Sequence, residues 1–292
     1  MVLIDFWTYS CINWRREFPY VRAWAEKYRS HGLVVIGVHS PEFEFEKKIE
    51  NVRQAIQQIG VRYPVAFDSN HTIWNSFGNA YWPALYFIDA QGRVRHNQYG
   101  EGEYDTSERV IQRLLMEAGA SGVATDPISI QASGPEAPAA LADLRSGENY
   151  LGYARTQDFA SPGGVAADKA KVYAMPEQLR RNQWALLGDW LIRSQAILSQ
   201  RENGRIAYMF HARDLHLVMG PPVGGRPVRF RVLIDGALPG GAAGSDVDAQ
   251  GLGTVMEPRM YQLIRQRQPV TDRRFEIEFL DSGAEVYAFT FG

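Results

Sequence analysis

Cys11 is the residue with the clearest capacity for chemistry, because it is the only cysteine among 292 residues. One thiol forms no disulfide within its own chain, so the sequence reads neither as a stapled secreted scaffold nor as a two-cysteine oxidoreductase acting alone. Any disulfide must join it to another molecule. Cys11 follows the apolar run Val2–Trp7 and the segment Thr8-Tyr9-Ser10, at the first turn of an expected helix. Unpaired backbone amides and the positive end of the helix dipole gather at such a turn, which favours a thiolate. Arg15 and Arg16 add positive charge one turn on. The plainer alternative is a small buried hydrophobe, a common fate of a cysteine outside any disulfide.

Other chemistry is thinner. Six histidines, at positions 31, 39, 71, 96, 211 and 216, form no His-Glu-x-x-His pattern and have no cysteine cluster beside them, so neither a metal nor another cofactor is expected. His211 and His216 bracket a turn and read as surface residues. Asp235, Asp246, Asp248 and Asp281 fall near turns and read as turn caps rather than calcium ligands. Asp5 reads as an edge or surface position ahead of a proton-handling one, and Glu42, Glu44 and Glu46 as an ordinary acidic helix start. Thirty-one Lys and Arg against 33 Asp and Glu leave a net charge of -2, with no global field to hold nucleic acid, and no nucleic-acid partner is expected. No run of 18 apolar residues occurs, and the first residues do not read as an export signal.

The elements that must position Cys11 are legible in the periodicity. Val2–Trp7 reads as a strand and Cys11 to about Tyr28 as a helix with Phe18, Val21, Trp24 and Tyr28 on one face. Leu33–Val38 is almost wholly apolar, as a central strand covered on both faces must be. A helix is expected from Glu44 to Ile59, ended by Gly60, then a short strand at Tyr63–Phe67 and a brief helix at Thr72–Phe77. Leu85–Ile88 and Val94–Tyr99 flank the hairpin turn Asp89-Ala90-Gln91-Gly92, and a last helix runs from about Asp105 to Met116. This is an α/β pattern with a mixed sheet. From Tyr150 onward about eight short strand-like runs are punctuated by Gly-rich turns, with explicit alternation at Phe230, Val232, Ile234 and at Phe275, Ile277, Phe279. Such runs imply an all-β, jelly-roll-like sandwich. The expected domains are therefore 1–118, a linker at 119–147, and 148–292.

Further motifs narrow the reading. Trp82-Pro83 lies just before the strand Ala84–Ile88, and an X-Pro bond takes the cis form at modest cost. With Phe6–Asn13, Pro19–Trp24, Val38–Phe43 and Tyr81-Trp82-Pro83, the first domain resembles the thioredoxin superfamily, in particular the soluble part of the DipZ-type thiol:disulfide interchange proteins. The second domain resembles the sandwich that follows it there, likened to carbohydrate-binding modules, in Asn149–Gly152, Gly236–Gly240, Arg259–Ile264 and Tyr287–Gly292.

The resemblance implies a thioredoxin-like fold, Cys11 as attacking thiolate and a cis Pro83 shaping a substrate groove; by their sequence positions, Trp7, Trp14, Arg15 and Trp82 are expected to line or support it. Trp14 and Trp82 are candidates for the rim, where either ring would grip an extended peptide. It further implies a protein substrate bearing a thiol or disulfide, a membrane-embedded thiol reductase as electron donor, a carbohydrate ligand for the sandwich, and a periplasmic or other extracytoplasmic location. Residues ahead of Val2 belong to the family pattern as well. Trp184, Trp190, Tyr208, Tyr261 and Tyr287 are the aromatic rings on offer for sugar stacking. One departure cuts across this. The family pattern reads Cys-x-x-Cys, whereas here Trp14 takes the second position, and in the two-cysteine mechanism it is the second thiolate that releases the product. The favoured expectation is thiol:disulfide exchange through a single nucleophilic cysteine. Its rival is a non-catalytic peptide- or carbohydrate-binding protein that has lost redox turnover, so whether the chain is an enzyme stays open.

Overall fold

Apolar strand sequences flanked by amphipathic helices dictate a layered first unit, Met1–Ala137; a second unit spans Pro138–Gly292 in this computed structural model, which describes residues 1–222 and 224–292. In the first unit β1 (Val2–Trp7) runs parallel to β2 (Val34–His39), and β2 runs parallel to β3 (Val65–Phe67). On its other side β1 pairs antiparallel with β4 (Ala84–Ile88), which forms a hairpin with β5 (Val94–Tyr99). The sheet order is β3-β2-β1-β4-β5, so the strand leading to Cys11 is central. One face packs on α1 (Ile12–Lys27) and α4 (Tyr104–Glu117) through Leu3, Val35 and Phe87 against Val21, Trp24 and Leu114. The other buries Ile4, Phe6, Val38 and Tyr86 against Trp74 of the short α3 (Thr72–Ser76).

The helix expected at Glu44–Ile59 is two pieces, a 3-10 turn Glu44–Lys47 and α2 (Ile49–Ile59), parted by an extended Lys48 at φ -87°, ψ 116°. Its end follows the sequence. Gly60 takes φ 79° and donates to Ile56 O, a left-handed cap that costs a glycine little. Gly37 is demanded by packing instead: a Cβ there would meet Trp7 Nε1 at 2.8 Å.

The second unit is all antiparallel between its strands, a single sheet curled into a half-barrel sandwich, in keeping with the expected β-sandwich. Its strands are β6 (Asn149–Tyr150), β7 (Ala170–Tyr173), β8 (Trp184–Ile192), β9 (Ile197–Ser199), β10 (Gly204–Phe210), β11 (Asp214–Gly220), β12 (Val228–Ile234), β13 (Leu252–Val255), β14 (Arg259–Arg265), β15 (Arg273–Phe279) and β16 (Glu285–Phe291). The main path is β13-β12-β15-β10-β8-β9-β16-β11-β14. β8 joins the two halves: Trp184–Leu187 pairs with β10, while Trp190–Ile192 pairs with β9. The change of partner falls at Gly188, whose φ of 96° lets the strand turn the corner. Alternating residues such as Phe230, Val232, Ile277 and Phe279 fill one apolar core between the halves.

Candidate functional site

β1 delivers the chain to a tight turn. Cys11 N–H donates to Thr8 O at 3.3 Å, and Cys11 itself is the extended residue that starts α1, with φ -76° and ψ 118°. It is partly exposed, and its Sγ lies 3.8 Å from the Trp82 carbonyl oxygen as a weak donor. The Trp82–Pro83 peptide bond is cis. Trp82 forms a fixed wall: its Nε1–H donates to Ser40 O at 2.9 Å and its ring lies 4.3 Å from that of Trp74. Tyr81 beside it is 55% exposed. Pro83 is buried, and its carbonyl accepts from Gly100 N–H at 2.9 Å. Cys11, Trp82 and Pro83 are thus brought together.

Trp7 and Trp14 stand behind this surface. Both are fully buried, with rings stacked at 4.3 Å, so Trp14 is not on the rim and no ligand reaches its face. The Trp14 Nε1–H donates to Asp5 Oδ2 at 3.3 Å, and Tyr63 OH donates to the same oxygen at 2.8 Å. Asp5 is therefore a buried acid on the central strand, not the edge or surface residue expected; the two donors make the place tolerable. Burial raises its carboxyl to about 6, the Tyr63 and Trp14 hydrogen bonds only partly opposing the shift. Glu17 is buried with no hydrogen-bond partner at either oxygen, and burial followed by the nearby Asp5 and Glu101 charges holds its carboxyl well above the usual range. His39 is equally buried, between the edge of Trp7 at 4.9 Å and the face of Tyr9 at 5.6 Å, and burial pushes it down to about 3.

Glu46 was the residue least visible as part of the site. It is not an exposed helix-start acid but fully buried. Its Oε1 accepts from Ser10 Oγ at 2.6 Å, and its Oε2 from the Glu42 and Phe43 amides at 2.7 and 3.0 Å. It ties the turn before Cys11 to the loop after β2, and this folding back accompanies the break at Lys48. The signal was the acid's position among Phe43 and Phe45, both buried. The arginines contribute less field than their sequence positions suggest. Arg15 pairs with Glu136 at 3.6 Å, and Arg16, almost wholly buried, pairs with Glu101 at 2.9 Å.

In the second unit the rings proposed for sugar stacking are core: Trp184, Trp190, Tyr208 and Tyr261 are at most 1% exposed and Tyr287 is 6% exposed. None presents a face to a sugar. His216 is buried in β11 rather than on the surface, and no cluster of potential metal ligands occurs among the described residues. The turn aspartates do cap turns: Asp248 Oδ1 accepts from the Gln250 and Leu252 amides at 2.9 and 2.8 Å, and Asp281 holds Arg229.

These positions overturn the expectation of thiol:disulfide exchange through Cys11, and with it the description of the chain as a redox oxidoreductase. Cys11 is the sole cysteine, no Cys-x-x-Cys exists, and the place of a resolving thiol is filled by an indole sealed in the core. The arrangement favours the loss of redox turnover.

Comparison with known proteins fits the architecture. Residues 146–292, half of the chain, match the family described as "Thioredoxin like C-terminal domain", and residues 1–97 match the AhpC/TSA family. Protein DipZ of Mycobacterium tuberculosis is 38% identical over 220 residues, 75% of this chain. The chain spans 31% of the length of that relative. "Thiol-disulfide oxidoreductase YkuV" of Bacillus subtilis is 31% identical over 115 residues, which are 39% of this chain and 77% of the relative. With a thioredoxin-like first unit and the matching β-sandwich second, the chain belongs to the thioredoxin-like family defined by that C-terminal domain, and is related to the DipZ-type proteins.

Proposed function

We propose that the protein is a non-catalytic peptide-binding member of its family, in which the surface of Cys11, Trp82 and Pro83 receives an extended segment of a protein partner. The carrying observation is the contrast between Trp14, buried on Trp7 where a resolving thiol would stand, and Trp82, half-buried and held by Ser40 and Trp74 beside an accessible Cys11. A rigid aromatic wall costs little entropy to present and offers apolar area to a peptide. Kinship with DipZ supports a protein partner in a redox-linked pathway and agrees with the extracytoplasmic location that the resemblance implies. The buried rings of the second unit favour peptide over carbohydrate as ligand.

Titration calorimetry with cysteine-free extended peptides tests this. Cys11→Ser should leave the affinity within about twofold, whereas Trp82→Ala should weaken it about tenfold, the loss of one well-packed aromatic contact. Sustained reduction of a disulfide substrate by the wild-type chain, or peptide binding indifferent to Trp82→Ala, would overturn the reading.

A further inference from the structure

The connection that follows β2 is unusual for a loop. Connections normally run over the surface, yet Ser40, Pro41, Phe43, Phe45 and Glu46 are all buried. Two carboxylates are folded in with them. Glu46 is 0% and Asp68 3% exposed, and among the described residues neither is paired with a cation. Burying a carboxylate without a counter-charge is costly even where donors meet it. Burial accordingly raises the Glu46 carboxyl above its usual range, its hydrogen bonds, that of Ser10 foremost, only partly opposing the shift.

The two acids hold the two walls of the surface at Cys11. Glu46 accepts from the hydroxyl of Ser10, the residue before Cys11, at 2.6 Å, and from the Glu42 and Phe43 amides at 2.7 and 3.0 Å. Asp68 accepts from the Ser40 hydroxyl at 3.1 Å and holds the start of α3 through the Ile73 and Trp74 amides, both at 2.9 Å. Ser40 joins the two sides: its N–H donates to Trp7 O at 3.0 Å, and its carbonyl accepts from the Trp82 indole. Trp74, whose amide Asp68 holds, packs its ring against that same indole. A path of buried hydrogen bonds and one short loop thus runs from the turn of Cys11 to the ring of Trp82. Apolar side chains would fill these places at less cost, but only donors and acceptors aimed at fixed points set the register of a turn against a wall.

We infer that Glu46 is a positioning residue of this surface: through Ser10 and the Ser40–Phe43 loop it fixes the Cys11 turn relative to the Trp82 ring and thereby sets, on the peptide reading above, the affinity for an extended segment. A turn and a wall held in place beforehand spare the complex the entropy of ordering them.

Fluorine NMR of the full chain labelled with fluorotryptophan reads this geometry without a ligand, the Trp82 signal being assigned by its loss in Trp82→Phe. Ser10→Ala and Glu46→Leu should each shift or broaden that signal. Glu46→Gln, which can still accept from the two amides and can donate to Ser10, should leave it in place. In calorimetry with a cysteine-free extended peptide, at a temperature where every variant is folded, Glu46→Leu should weaken binding about tenfold and Ser10→Ala about threefold, with Glu46→Gln within about twofold of wild type. In the Trp82→Ala background Glu46→Leu should cost little more, the non-additivity expected within one network. A merely structural Glu46 would lower the melting temperature and leave signal and affinity alone. Should Glu46→Leu fail to fold, Ser10→Ala, which removes a single hydrogen bond, carries the same test. An unmoved Trp82 signal, unchanged affinity or additive losses would overturn the assignment. A signal that moves in a chain binding no peptide would uphold the positioning and overturn the peptide reading instead.

Discussion

Asp5 and Asp214 are both buried carboxylates on strands, one in each unit, and they are treated in opposite ways. Asp214 accepts from Arg265 Nε at 2.7 Å and from Arg213 at 2.6 Å; burial pushes its carboxyl up, but these hydrogen bonds outweigh it and the net direction is down. Asp5 has two neutral donors, an oxygen without any partner and no cation, and its carboxyl rises to about 6. Asp214 is part of the scaffold, satisfied as buried charges in stable cores are. Asp5, Glu17 and His39 form an unbalanced polar set behind Cys11, the arrangement found where proton chemistry is or was done. The first unit thus holds an unbalanced buried polar set behind a surface that has no resolving thiol.

Changes at these residues sharpen or break that contrast. The largest effect is expected at His39. It stays neutral when folded to about pH 3 but protonates near 6.5 when unfolded, so stability is full above pH 6.5 and is lost as pH falls toward 3, by about 5 kcal/mol at the limit. In His39→Phe that acid loss should vanish from urea midpoints measured across the range. Arg213→Met with Arg265→Met, which strands Asp214, should cost about 4 kcal/mol at neutral pH in the second unit's unfolding transition; a negligible cost would erase the contrast.

Asp5 carries the opposite pH sign to His39. Its folded carboxyl holds a proton more tightly than the unfolded one at 3.8, so stability declines as pH rises from about 4 to about 6 and then levels. Asp5→Asn should abolish this decline and gain about 3 kcal/mol above pH 6 in denaturant titrations. Gly37→Ala, which drives a methyl against Trp7, should lower stability by about 2 kcal/mol in thermal melts. Cys11→Ser should change it by no more than about 0.5 kcal/mol, since the thiol is partly exposed and its hydrogen bond to the Trp82 carbonyl is weak.

The strands and helices of the first unit were legible because burial on one face imposes a period, as at Phe18, Val21 and Trp24. The alternation at Phe230 and Phe275 was visible for the same reason. Leu252–Val255 carries no such pattern, and its pairing with β12 is set by tertiary context. The grouping of Cys11, Trp82 and Pro83 came from motif order, which spans seventy-odd residues that periodicity alone cannot join. Asp5 and His216 were misplaced to edge or surface because polarity in an apolar run usually marks exposure; both are held inside by partners distant in sequence, Tyr63 and Trp14 for Asp5, Thr290 and Gln262 for His216.

Because β8 bends at Gly188 and serves both halves of the second unit, neither half has a complete set of strands without it. The two layers cannot melt one after the other, since releasing β8 from β10 also frees the chain that β9 holds. Amide protons on Ala185 and Leu191, although in different halves, should exchange with solvent at one common, globally limited rate, making this strand the seam that turns two sheets into a single cooperative unit.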